Sequence, residues 1–495
     1  MSQEIMLNRR ANDQLGHAKL TEFYTDCRNC MSERSELNQT NQERETRMPA
    51  YLELASELEA RIRSGALPPG SQLPPQRDLA RERSLNVSTV TRAYRELQNL
   101  NLVMGSTRRG TIVTGDGAMP RVDRAASPAG VIDLTVNRPA IDDFQQRLAQ
   151  SLPDLSSDPR FRQMQEYQPP EGPAWARLAA RKWISLNGFD PSEDDIVVTS
   201  GAQHALLAVI SSLIEPGDTI VCDRLTYYGL IALAQMFRFH IIGIGSDEQG
   251  MSAAELDDIC SREPVRAVFT VPSMHNPTVV TMSEARRKEL VEVAEKHDLV
   301  IIEDDVYGPM LGTRASALIT LAPARTYHIS ALSKALAPGL RVGYLTCPPG
   351  RALLSAEAVR TTAWMPSPLP LLLATRWLED GTAEAILKAQ LAELRARHAI
   401  VTTILAGHSF SADPRCMFLW LRLPAPWRCE AFAANLRAHG VAVMAATAFA
   451  CDRQPVEHAV RVNVGCASSR EELATALRII AATLNDRPRA LAGLV

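Results

Sequence analysis

The pattern of apolar and polar positions divides the chain into unlike stretches. Residues 1–46 are polar, with scattered apolar residues and no sustained period, and read as a disordered arm. From Pro49 a helical period sets in. Leu52, Ala55, Leu58 and Ile62 recur at helical spacing and predict a helix that ends in SGALPPG. Two prolines, tolerated only at a helix start, open a second helix in LPPQRDLARERS. LNVSTVTRAYRELQNLN predicts a third, with Ser88 placed to cap it and Val90, Ala93, Tyr94 and Leu97 on its apolar face. LVMGSTRRGTIVTG reads as two short strands around a polar tip. Three short helices followed by a hairpin is the plan of a winged helix-turn-helix, over residues 47–114.

Residues 115–130, GDGAMPRVDRAASPAG, have little apolar content and read as a linker. From Val131 short β-rich runs alternate with longer helical ones. DIVVTS precedes AQHALLAVISSLI, DTIVCD precedes GLIALAQMF, and RAVFTV precedes SEARRKELVEVAEKH; LVIIEDD, TYHIS and RVGYLTC are further strands. This alternation predicts an α/β domain with a large, mostly parallel sheet. After Leu353 come helices, then MFLWLRL, EAFAANLRAHG, AVRVNVG and REELATALRIIAATL, which suit a smaller α+β subdomain closing a unit of residues 131–495.

Composition narrows the class. Of 495 residues, 46% are apolar and 22% charged, as in a soluble globular chain. The net charge of −3 argues against whole-chain binding to nucleic acid or membrane, while leaving room for a basic module. No apolar run reaches the ~18 residues a bilayer requires, and the N-terminus lacks the features of a secretory signal. Nine scattered cysteines do not form a disulfide framework, so a reducing cytoplasm is expected. Cys27 and Cys30 make a lone CxxC that carries no chemistry by itself.

Over residues 47–116 ten arginines face seven acids, a net charge of +3. Placement says more than the sum. Arg77 and Arg81 fall on the second helix, Arg92 and Arg95 on the third, and Arg108 and Arg109 at the hairpin tip. In a winged helix-turn-helix the third helix enters the major groove and the wing reaches adjacent DNA. Arginine offers paired donors to guanine edges and phosphates, and Ser88 and Thr89 can bond phosphates at the helix start. The ordinary alternative is a small bundle with a solvated basic face. The run LPPGSQLPPQRDLARERSLNVSTVTRAYRELQNLNLVMGSTRRGTIV closely resembles the GntR-type winged helix-turn-helix over about 65 residues. That resemblance implies DNA contacts from Arg77, Arg92 and the Arg108–Arg109–Gly110 tip. Asn101 and Leu85 stand where the family commonly has glycine.

The 53 basic residues comprise 47 arginines and six lysines, so lysine chemistry has few candidates. Lys182, Lys288, Lys296 and Lys388 sit in charged amphipathic helices, and Lys19 lies in the polar arm. Lys334 differs, since SALSKALAPGLRVGY surrounds it with small and apolar residues and one cation, Arg341. Desolvation and a neighbouring cation both lower an amine's pKa and favour Schiff-base chemistry. On that neighbourhood alone a snorkelling surface lysine remains the ordinary reading. Other segments add to it. Asp304 and Tyr307 lie in VIIEDDVYG at a strand's C-terminal end, where α/β sheets bind ligands. Asn276 lies in HNPT, Ser200, Gly201 and Ala202 between a strand and a helix where free N–H groups can hold phosphate, and Arg461 in AVRVNVG. An aldehyde partner, a carboxylate, donors to a ring oxygen and an anion site are what pyridoxal 5'-phosphate requires.

In this order and spacing the segments resemble the class I/II aminotransferases of fold type I over about 360 residues. The resemblance implies Lys334 as the Schiff-base lysine and Asp304 as partner of the pyridine nitrogen. It also implies Asn276 and Tyr307 at the ring oxygen, and Arg341, Ser333 and the Gly201–Ala202 helix start at the phosphate. Tyr227 would stack on the ring, Tyr167 would reach the neighbouring subunit's phosphate, and Arg461 would clamp an amino acid carboxylate. Two hydroxyls of the usual pattern are missing, since Ala331 and Ala202 stand in their places. That places extra weight on Arg341.

A GntR-type head on an aminotransferase-like body is the layout of the MocR-type transcriptional regulators, and the chain is similar to them. This implies a bacterial cytoplasmic regulator that binds pyridoxal 5'-phosphate and double-stranded operator DNA. It would work as a head-to-tail homodimer and respond to a small amino compound or to the cofactor itself, with no membrane partner. Two alternatives stand beside it: an active aminotransferase carrying a DNA-binding head, and a regulator whose body is only a cofactor-free scaffold.

Overall fold

The computed structural model describes residues 49–64, 66–68, 71–99, 102–106, 110–113, 130–141, 143–312, 315–452 and 454–486. The expected arm 1–46, the wing-tip pair Arg108 and Arg109, and all of the expected linker except Gly130 lie outside these residues. The chain divides into two compact units, 1–119 and 120–495.

In the first unit α1 is Ala50–Arg63, α2 Gln76–Glu82 and α3 Val87–Asn99. The hairpin is β1, Val103–Ser106, and β2, Gly110–Val113, antiparallel with Val103 opposite Val113. Val90, Ala93, Tyr94 and Leu97 of α3 are buried against Leu54, Ala55, Leu58 and Ile62 of α1 and Leu79 and Ala80 of α2. Leu54 takes the inward place that spacing had given to Leu52, which is only half-buried. The cap expected at Ser88 is also displaced by a turn position. α3 begins at Val87, and the Asn86 carbonyl accepts from the N–H groups of Thr89 and Val90 at 3.0 and 3.2 Å. Ser88 is therefore an exposed residue of the first turn. The Tyr94 hydroxyl donates to the Pro74 carbonyl at 2.7 Å, which ties α3 to the start of α2.

The second unit is built on a seven-stranded sheet. Its strands, in chain order after a short β3 (Ile132–Asp133), are β4 (Ile196–Thr199), β5 (Thr219–Asp223), β6 (His240–Ile244), β7 (Ala267–Thr270), β8 (Val300–Asp304), β9 (Thr326–Ala331) and β10 (Gly343–Thr346). Their spatial order is β4-β10-β9-β8-β7-β5-β6. Only β10 runs against the others. β4, β7 and β9 are buried at every residue, as expected of strands covered by helices on both faces. A second sheet holds β11 (Phe410–Ser411), β12 (Phe418–Arg422), β14 (Met444–Ala445) and β15 (Ala459–Asn463), while β13 (Val441–Ala442) pairs with β3. One apolar cluster runs from the large sheet into these later elements. Among the described residues no helix is long and apolar enough to cross a membrane.

Candidate functional site

The parallel strands point their C-terminal ends the same way, and the chain leaves β4, β5, β7, β8 and β9 carrying candidate side chains. Asp304 is the last residue of β8, and Lys334 follows β9 by three residues. Ser200 and Gly201 join β4 to α4 (Ala202–Leu213), and Tyr227 opens the helix Tyr228–Phe237 after β5. Asn276 lies in the loop after β7. Arg461 comes from β15 in the smaller sheet, opposite Trp420 and Met444. Ala202, Tyr227, Asn276, Asp304, Tyr307, Lys334 and Arg461 line one cleft.

Charges in the cleft are distributed unevenly. Burial pushes the Asp304 carboxyl up to about 7, against the pull of the Val306 N–H and the nearby Lys334 ammonium. Its Oδ1 is buried and has no hydrogen-bond partner among the described residues. Burial brings the Lys334 amine down to about 8, and the Arg461 guanidinium adds to the fall while Asp304 opposes it. Sequence had pointed to Arg341 as the neighbouring cation; Arg341 contributes, but Arg461 contributes more. The Lys334 ammonium donates to the Asn137 carbonyl at 2.8 Å. Burial holds the Tyr307 phenol well above its ordinary range.

Arg461 is 2% exposed and fixed from two sides. Its Nη1 donates to Asn276 Oδ1 at 2.7 Å and its Nη2 to the Thr135 carbonyl at 2.7 Å. The rings of Phe449 and Phe418 lie 4.9 and 5.5 Å from its guanidinium carbon. Its Nε is buried without a partner among the described residues.

Ser200, Gly201, Ser333 and Arg341 do not line this cleft, but they adjoin its Ala202 and Lys334 in the chain or by contact; Gly201 has φ +88°, and a Cβ there would come within 2.7 Å of the Arg341 guanidinium. Glycine is required by the backbone, and a side chain there would also displace the guanidinium from this approach. Arg341 Nη2 donates to the Ser200 carbonyl at 2.9 Å. The Ser200 N–H donates to His204 Nδ1 at 3.0 Å, and His204 Nε2 lies 2.8 Å from Thr362 Oγ1. Ser333 Oγ is buried with no partner among the described residues. A helix N-terminus beside an exposed arginine suits a phosphate. With the unpartnered Asp304 oxygen and the Lys334 amine in the same cleft, these residues fit pyridoxal 5'-phosphate.

Three groups entered the site unannounced by sequence. Asn137 Nδ2 donates to the Tyr307 oxygen at 2.6 Å, and Asn463 Nδ2 donates to Asn137 Oδ1 at 3.1 Å. His204 supports the Ser200 turn. Asn463 was findable, since it lies two residues after Arg461 on the same strand face. Asn137 sits in an irregular segment that no period marks. Tyr167 is not in the cleft. It is 80% exposed, and its ring centre lies 5.7 Å from that of the exposed Trp364.

On the first unit, Arg77, Ser88 and Arg92 are exposed and Thr89 is half-buried. Ser88, Arg92 and Arg95 form one outward stripe of α3, opposite its apolar face.

Comparison with known proteins agrees with both units. Residues 129–480 match the family "Aminotransferase class I and II", and residues 50–113 match "Bacterial regulatory proteins, gntR family". The chain is 31% identical over 439 residues to the HTH-type transcriptional regulator YdeF of Bacillus subtilis, covering 88% of this chain and 95% of that one. It is 29% identical over 331 residues to the HTH-type transcriptional regulator YjiR of Escherichia coli, covering 61% of this chain and 70% of that one. Among solved structures, the kynurenine aminotransferase of Pyrococcus horikoshii superposes with a TM-score of 0.66 at 24% identity, over 72% of this chain and 91% of that one. That likeness shows the fold of the second unit. With a gntR-family domain ahead of an aminotransferase class I and II domain, and a regulator of the same build matching it nearly end to end, the chain belongs to the MocR-type HTH transcriptional regulators.

Proposed function

We propose that this regulator binds pyridoxal 5'-phosphate in the cleft around Lys334 and changes its hold on operator DNA when an amino compound enters that cleft. The observation that carries the reading is the convergence of Lys334, Asp304, Tyr307, Asn276 and Arg461 on one pocket. The cofactor supplies an aldehyde that condenses with amines and a ring that withdraws electrons. Lys334 would hold the aldehyde carbon, and its lowered pKa provides the neutral amine this needs. Asp304 would pair with the ring nitrogen, Asn276 and Tyr307 would bond the ring oxygen, and Tyr227 would cover one face. Arg341, Ser333 and the N–H groups of Gly201 and Ala202 would bind the phosphate. Arg461, already aimed and buried, would take a carboxylate of the incoming compound, so the effector class is an amino acid or a close relative.

DNA is read by the head, with Arg77, Ser88, Thr89 and Arg92 toward the duplex and Arg108 and Arg109 on the wing. The working form is a cytoplasmic homodimer, head-to-tail, in which the exposed Tyr167 reaches the partner's phosphate. Residues 1–46 are an arm and 115–130 a linker that lets the body's state alter how the heads are presented. Borohydride reduction followed by peptide mapping tests the central assignment. The pyridoxyl group is expected on Lys334, and a label on any other lysine rejects it.

The nearly intact cleft also favours a second reading, an active aminotransferase carrying a DNA-binding head. A half-transamination assay over a panel of amino acids separates the two. Turnover at enzymatic rates without any amino-acid effect on DNA binding supports the second.

A further inference from the structure

Arginines of the head differ in what holds them. Arg83 spends its fork on Glu57, with Nη1 and Nη2 donating to the two carboxylate oxygens at 2.9 and 2.6 Å. Arg92 has no such partner. Its guanidinium carbon lies 4.2 Å from the centre of the Tyr51 ring, and among the described residues it makes no hydrogen bond or ion pair. Tyr51 belongs to α1 and is half-buried against the head's apolar cluster, so its ring is a fixed floor under a side chain that stays exposed.

We propose that Tyr51 is a positioning residue for DNA recognition, holding the Arg92 guanidinium over its ring so that the free N–H edge is offered to a guanine in the major groove. The proposal rests on α3 being the groove helix. A ring attracts a cation through its face, while the five donors of a guanidinium lie in the guanidinium's own plane. A plane-to-plane contact consumes none of them, and the 4.2 Å between guanidinium carbon and ring centre suits that arrangement. Fixing the side chain in advance removes ordering that a free arginine would undergo on binding. A phosphate accepts a cation from many directions and gains little from such orientation. The paired acceptors of guanine, O6 and N7, require it. Arg92 also sits within the outward stripe of α3 beside Ser88 and Arg95, rather than at the helix margin.

The test uses the full-length protein and duplexes selected by it from a randomised library. Tyr51→Phe keeps the ring, whereas Tyr51→Leu keeps apolar bulk without a π face, so both variants preserve packing; thermal melting checks that they do. Tyr51→Phe should bind like wild type. Tyr51→Leu should lose about three- to tenfold in affinity for the selected duplex, with the loss confined to discrimination at one guanine position and the salt dependence unchanged. Arg92→Ala should lose discrimination at that same position, and adding Tyr51→Leu to it should cost nothing more. Wild-type discrimination by Tyr51→Leu would overturn the proposal. So would a uniform weakening over all duplexes with a shallower salt slope, which marks a phosphate contact, or an equal loss when Tyr51→Leu is added to Arg92→Ala, which marks a structural role. If Arg92→Ala itself binds the selected duplex like wild type, the assignment of α3 to the groove is wrong and the proposal falls with it.

Discussion

Arg461 donates to Asn276 across 2.7 Å although 185 residues separate them, and this one bond joins the smaller sheet to the loop after β7. The guanidinium is therefore aimed before any ligand arrives, in the cleft that Lys334 also lines. A pre-aimed fork distinguishes a carboxylate-bearing amine from a simple amine. Its bonds go to Asn276 and Thr135, not to the Gly201–Arg341 turn offered to a phosphate. Arg461→Ala should keep the yellow, cofactor-loaded spectrum and basal DNA binding, yet lose the amino-acid-induced change in DNA affinity. An effector must interact differently with two states of the body to shift their populations, and removing the clamp removes that difference. A variant that still responds fully to a carboxylate-bearing amino acid would sink the clamp.

Lys334 provides a prediction in pH. With its amine brought down to about 8 by burial and by Arg461, roughly a quarter is neutral at pH 7.5. An ordinary lysine at 10.5 would be about a thousandth neutral there. Uptake of pyridoxal 5'-phosphate by cofactor-free protein should rise close to tenfold per pH unit below 8 and flatten above it. Stopped-flow absorbance reads the rate. A rise that continues unbroken to pH 10 would show that the cleft leaves the amine unshifted.

The head allows two kinds of contact to be told apart. Arg77 on α2 is exposed; under the proposal that it meets the duplex with α3, Arg77→Ala should abolish specific footprinting while the protein remains dimeric and yellow. Replacing both Arg108 and Arg109 should behave differently. If the wing meets only phosphates, their loss weakens all sequences alike and flattens the dependence of binding on salt. Binding isotherms at several salt concentrations, on selected and unrelated duplexes, separate the two outcomes.

Much of this was legible because the relevant signals are local. β4, β5, β7, β8, β9 and β10 are each a short β-rich run in the sequence, and site residues follow the first five because a parallel sheet gathers its C-terminal ends. β6 escaped notice: HIIGI is only half-buried for most of its length and carries a glycine, so its apolar signal is weak. Ser88 was misplaced because Asn86, two residues earlier, satisfies the same helix start with its carbonyl. Arg461 was found as a candidate, but its dominance over Arg341 beside Lys334 depends on the smaller sheet folding back over the cleft. The Asn137–Tyr307 bond spans 170 residues and leaves no mark in any window of sequence.

Asp304 yields a prediction in which the sign reverses. Its folded-state pKa is raised from 3.8 to about 7, chiefly by burial. Between those values the native carboxyl keeps a proton that the unfolded chain has released, so stability falls as pH rises through that window. The contribution is fully present below about 4 and lost by the time pH passes 7. Asn at this position does not titrate. Cofactor-free Asp304→Asn should therefore melt near the wild type at pH 4 and increasingly above it up to pH 7, with no further gain beyond. With pyridoxal 5'-phosphate added at pH 8, the order should invert. The wild-type carboxylate then gains a cationic ring nitrogen as partner, and ligand binding to the native state adds to its stability according to affinity. The asparagine variant, offering no charge, should bind the cofactor more weakly and gain less. Melting curves of both proteins with and without cofactor at pH 4, 6 and 8 read all of this. If the variant melts below the wild type in cofactor-free form at pH 8, then the Asp304 carboxylate is already satisfied in the folded chain, and its role as the partner awaiting the ring nitrogen fails.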